Sequence, residues 1–75
     1  MSYKKLTALH SKLADIRTEL SEIRDKAEET FDSRSEKWQD SDAGITYGER
    51  VTYMENALDA LESVLESLEN ATVND

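Results

Sequence analysis

The chain has 75 residues, no cysteine, one histidine and a net charge of −8. A chain this short makes one domain with little capacity to bury its own surface, and the missing cysteines exclude disulfides and thiolate metal sites. His10 alone cannot build a histidine metal centre, and no apolar run follows Met1-Ser-Tyr-Lys-Lys5, so neither a signal peptide nor a membrane span is expected.

A cytoplasmic protein that gains buried surface by association is therefore the starting expectation. Charge divides the chain unevenly. Residues 1–38 carry eight basic and eight acidic groups, whereas residues 39–75 set Arg50 alone against nine acids. The excess of negative charge in the second half disfavours nucleic acid and anionic membrane as partners and suits a basic protein surface.

Apolar residues first fall at Leu6, Leu9, Leu13, Ile16, Leu20, Ile23 and Ala27, alternating steps of three and four. This is the a/d stripe of a heptad repeat. With Leu6 at a, the d positions are Leu9, Ile16, Ile23 and Thr30. A first helix is predicted over about residues 2–38, with Ser2 as N-cap. Near its end the stripe steps sideways to Phe31, Arg34 and Trp38, on the e flank.

Residues 39–46 have turn composition. Gly44 is expected to take a left-handed conformation there, and Thr46 with Glu49 reads as a capping box. A second helix follows over about residues 47–70, with a frayed tail at 71–75. Its stripe is Tyr47, Val51, Met54, Leu58, Leu61, Leu65 and Leu68, with Val51 at a.

The two stripes match as an antiparallel hairpin of coiled-coil type. One register pairs Leu13 with Leu68, Ile16 with Leu65, Leu20 with Leu61, Ile23 with Leu58 and Ala27 with Met54. The same register brings e positions together as His10–Glu69, Arg17–Glu62 and Arg24–Glu55. Such exposed pairs select direction more than they stabilise.

Ala57, Val64 and Ala71 recur every seven residues at g of the second helix, with Ala60 and Tyr53 nearby. An apolar face wider than a/d meets more than one neighbour. The fold expected is therefore all-α, a hairpin that dimerises into a four-helix bundle through these five residues.

Phe31, Arg34 and Trp38 share one helix face and could anchor a protein partner, since Trp and Arg dominate binding energy at interfaces. Alternatively Phe31, Trp38, Ile45 and Tyr47 plug the end of the hairpin. Glu62 and Glu66 belong to an acidic series with Glu55, Asp59 and Glu69 that could imitate a nucleic-acid backbone, or could simply be a solvated face. The serines and aspartates of the turn lack calcium-loop spacing. No nucleophile elbow, phosphate loop or zinc signature is present. A hairpin has no room for a concave pocket, so no catalytic residue, cofactor or metal is expected.

The central run Arg34-Ser-Glu-Lys-Trp38-Gln-x-Ser41-x-x-Gly44 resembles short uncharacterised helical-hairpin proteins of phages and prophages. That resemblance implies an accessory phage protein of the host cytoplasm, from a class that includes inhibitors of host factors or defence systems as well as scaffolding pieces; binding and inhibiting a host protein is its sharper form. Two further readings are an assembly protein whose role is self-association, and a nucleotide-binding sponge using Arg34 and Trp38.

Overall fold

The computed structural model describes residues 3–73, with side chains to Thr72. Helix α1 spans Tyr3–Asp32, α2 spans Glu36–Gln39 and α3 spans Asp42–Val73. The chain doubles back at α2, so α1 and α3 lie antiparallel along a rod of 55 × 14 × 13 Å at the Cα positions. The all-helical hairpin is the one the heptad spacing predicts.

The corner is built differently from the expectation. The first helix stops at Asp32 rather than near Trp38, and the third starts at Asp42 rather than near Tyr47. Serines mark the starts of both helices that follow α1. Ser35 adopts an extended backbone (φ −64°, ψ 154°) and its hydroxyl accepts from the Trp38 N–H, which caps α2. At the start of α3 the Ser41 Oγ likewise accepts from a backbone donor, the Gly44 N–H, at 3.2 Å. Asp42 then places a carboxylate in the first turn, where the helix dipole favours it. The Gln39 amide donates to the carbonyls of Phe31 and Arg34, at 2.9 and 3.1 Å. The Phe31 carbonyl in the last turn of α1, which also accepts from the Arg34 N–H, and the Arg34 carbonyl just beyond the helix each gain a side-chain donor in this way.

Thr46 is consequently inside α3 and caps nothing. Gly44 is helical too, and no residue among those described has a positive φ. Its lack of a Cβ serves closeness instead: an added Cβ would collide with the Trp38 carbonyl and stand 2.6 Å from the Gln39 carbonyl. α3 also continues through Ala71 and Thr72 to Val73, past the predicted end at residue 70. Ser2 and residues 74–75 lie outside the described residues.

Packing between α1 and α3 departs from the a/d expectation on one helix only. α3 turns its a and d positions inward, with Leu58 and Leu65 buried at 8 and 9 % exposure. α1 turns inward its a, b and e positions, so Leu13 and Leu20 are half-buried alongside Ala14, Ser21 and Glu28. Its d residues Leu9, Ile16 and Ile23 are left 49, 48 and 57 % exposed. In the expected layers of Ile16 with Leu65 and Ile23 with Leu58, the α3 member is thus buried while about half of the α1 member stays exposed.

Phe31 accounts for the rotation. It sits at e and enters the corner against Trp38 and Tyr47. A straight helix cannot turn one residue inward without turning the rest of that face with it. The sideways step visible in sequence at Phe31 thus governs the whole of α1.

Candidate protein-interaction surfaces

The hairpin has two unlike sides and a corner. On the charged side, Arg17 Nη1 donates to Glu62 Oε1 at 3.2 Å, which is one of the three predicted e pairs. Both side chains are well exposed, so the pair is worth only ~0–1 kcal/mol. Around it an open groove of about 400 Å³ is lined by Arg17, Ser21, Arg24, Glu55, Leu58 and Glu62.

The Arg24–Glu55 pair is not made. Arg24 Nε instead donates to the neighbouring Asp25 carboxylate at 2.8 Å. Because α1 is rotated, Glu28 faces α3, and the neighbouring Glu55 carboxyl holds the Glu28 carboxyl above its ordinary value. His10–Glu69 is likewise absent from the ion pairs among the described residues.

The Glu28–Glu55 contact has a pH consequence. The Glu55 carboxyl, followed by desolvation, raises the Glu28 carboxyl above its ordinary value, with Arg24 pulling the other way and Asp25 adding to the rise. A carboxyl raised in the folded state stabilises at acid pH and loses that contribution as pH climbs through the raised value. Glu28→Gln keeps an N–H donor toward Glu55 at every pH. It is expected to melt above the parent at neutral pH, with the difference closing toward acid, as read from thermal melts at a series of pH values.

On the opposite side Leu9, Ile16 and Ile23 form a seven-spaced apolar ridge. Beside it lie the predicted self-association residues Ala57, Ala60, Val64 and Ala71, all exposed, with Tyr53 at 69 % and Val64 at 44 %. From Tyr53 to Ala71 every c, f and g position of α3 is Tyr, Asn, Ala, Ser or Val, although 35 % of the chain is charged. The acids of that stretch all fall at b and e. Toward the corner this side opens into a groove of about 410 Å³ floored by Ile23, Ala27, Tyr47, Val51 and Met54, with Lys26 and Arg50 at its edge. The ridge on α1 was missed in the sequence, where d positions of a heptad read as hairpin core.

At the corner Phe31, Trp38 and Tyr47 cluster. The Trp38 ring meets Phe31 edge-on at 5.9 Å and Tyr47 at 5.7 Å between centroids, and Phe31 stacks on Tyr47 at 6.4 Å. Arg34 lies 4.2 Å over the Trp38 ring. The plug is thus built from three of its four proposed members, because Ile45 points outward at 52 % exposure. Phe31 and Trp38 are half-buried, which leaves Arg34 as the exposed member of the proposed partner-binding trio. On α3, Glu62 is engaged by Arg17 and Glu66 is free in solvent.

No helix is long and apolar enough to cross a membrane, and no three His, Asp or Glu side chains converge as a metal set, among the described residues. Protein-family models, curated proteins and solved structures yield no significant match to the chain.

Proposed function

We propose that this chain is a non-enzymatic protein-interaction module that is half of a four-helix bundle. Two copies bury their apolar sides against each other, leaving the corner and the acidic side for a further protein. The observation that carries this is the exposed ridge Leu9, Ile16, Ile23. α1 has apolar residues on two faces roughly a quarter-turn apart, and a helix in a four-membered bundle meets two neighbours at that angle. The hairpin supplies one neighbour. Among the described residues a single copy seals only two apolar side chains, Leu58 and Leu65, which is little core for a chain that must offset its conformational entropy.

Sedimentation equilibrium is expected to give twice the 8.5 kDa chain mass at micromolar concentration. A mass that stays at the single-chain value rejects the bundle. Ile16→Gln is expected to weaken self-association roughly tenfold or more, since each copy forfeits apolar burial at the centre of the interface. The hairpin itself barely changes, because Ile16 is already half exposed.

The resemblance of the corner run to phage and prophage proteins gives a sharper form, an accessory protein that inhibits a host protein. Its support is the acidic side, where Glu66 and Asp59 stand exposed beside Glu62. Reversing Glu62 and Glu66 to lysine separates it from an assembly protein whose role is self-association. Both readings keep the dimer mass in that variant, and only the inhibitor loses its host protein. A nucleotide sponge is disfavoured because the Arg34 guanidinium covers a Trp38 face that a base would need.

A further inference from the structure

We infer that the two copies meet with their corners at opposite ends, related by a two-fold axis that crosses the apolar side at right angles to the helices between Ile16 and Val64. This rests on the bundle reading above and specifies its geometry.

The first support is the symmetry of the exposed pattern. Leu9, Ile16 and Ile23 are evenly spaced about Ile16, and Ala57, Val64 and Ala71 about Val64. The hairpin sets these two centres level. Arg17 reaches Glu62, and a Cβ on Gly48 would stand 3.8 Å from the Phe31 ring. That register puts Ile16 beside Ser63 and Val64. A dimer of identical surfaces needs a patch complementary to itself. An axis at this level lays Leu9 on the partner's Ile23, Ile16 on the partner's Ile16, Ala57 on the partner's Ala71 and Val64 on the partner's Val64.

Apolar matching alone does not choose this axis. One parallel to the helices, with both corners at the same end, would stack Leu9, Ile16 and Ile23 on the partner's Ala71, Val64 and Ala57. Charge makes the choice. Lys12 and Glu19 flank the ridge at g of α1, one heptad apart. The perpendicular axis sets each Lys12 against the partner's Glu19, giving two pairs near the centre. The parallel axis sets both residues against the charge-free flank of α3. Complementary charge of this kind fixes register and orientation rather than affinity. The perpendicular axis also brings Lys26 toward the partner's Lys5, but those side chains are exposed at the ends, where solvent screens them most.

The area is sufficient. One 55 × 14 Å side of the rod, measured between Cα positions, is of the order of the ~800 Å² that each partner gives to a stable interface. Small residues at Ala57, Ala60 and Ser63 allow the two α3 helices to approach closely, while the larger Leu and Ile separate the two α1 helices.

The chain has no cysteine, so single substitutions report the geometry directly. Ile16→Cys and Val64→Cys lie at half-exposed positions that the hairpin tolerates. Under mild oxidation each variant alone is expected to form a disulfide-linked dimer on a non-reducing gel. Variants that stay uncrosslinked alone, yet link to each other when mixed, would place the corners at the same end and overturn the inference while leaving the bundle intact. A dimer mass with no crosslink in any combination would also overturn it. A monomeric parent in sedimentation overturns the bundle reading itself. As an independent readout, Lys12→Glu is expected to weaken self-association several-fold and Glu19→Lys in the same chain to restore it. No response to either change counts against the perpendicular axis.

Discussion

Trp38→Ala is expected to cost the hairpin roughly 3 kcal/mol, the lower end of the range for removing a core Trp because the ring is half-buried. The loss has identifiable parts. Two edge-on aromatic contacts, to Phe31 and Tyr47, go with the ring, each worth about 0.5–1.5 kcal/mol beyond area burial. The Arg34 guanidinium loses the face it rests on, an exposed cation–π contact of about 0.5–1 kcal/mol. Phe31 and Tyr47 remain stacked but lose the lid over them. Domains of this size hold only about 4–11 kcal/mol in total, so the melting midpoint in urea, followed by helical circular dichroism, should fall clearly. Trp38→Phe should recover much of the loss. An unchanged midpoint would put the ring outside the fold and return it to the role of a partner anchor.

The two glycines are expected to respond to the same substitution with opposite sign. Gly44→Ala inserts a methyl group against the backbone of Trp38 and Gln39. Backbone atoms cannot swing aside as a side-chain tip can. The cost is expected near the top of the ~1–3 kcal/mol usual for overpacking, with the capped junction of α2 and α3 forced apart. Gly48 is also inside α3, but its nearest neighbour beyond the helix, the Phe31 ring, would stand 3.8 Å from an added Cβ, an ordinary contact. Gly48→Ala should therefore stabilise by ~1 kcal/mol through helix propensity alone. Paired melts of the two variants check both signs. Equal effects would mean that α2 and α3 do not touch at Gly44.

Much of the hairpin was legible because leucines at three–four spacing permit few other structures. Arg17–Glu62 could be read in advance because the register that matches leucines also matches those charges. The corner was harder. Ser35 and Ser41 each stand before an acidic residue, which is a helix-start signal, but two such signals six residues apart look like one polar loop until the short α2 between them is seen. In the sequence Gly44 reads as a conformational residue, whereas in the fold its role is steric, and sequence carries no record of what lies against a Cα. The rotation of α1 was hardest. Heptad letters give a helix a single inward face, whereas Ile16 and Ile23 belong to a second one. Its trace in the sequence is the placement of Phe31 at e, together with the absence of charge from c, f and g between Tyr53 and Ala71.

That Leu58 and Leu65 are the only apolar side chains sealed within one copy among the described residues bears on how the molecule behaves as its abundance changes. Where folding and pairing share most of their buried area, mass action links them, and thermal resistance climbs with concentration. If two copies pair as proposed, dilute chains spend more time open to proteases than concentrated ones, and the persistence of the pool rises with the rate at which the chain is supplied.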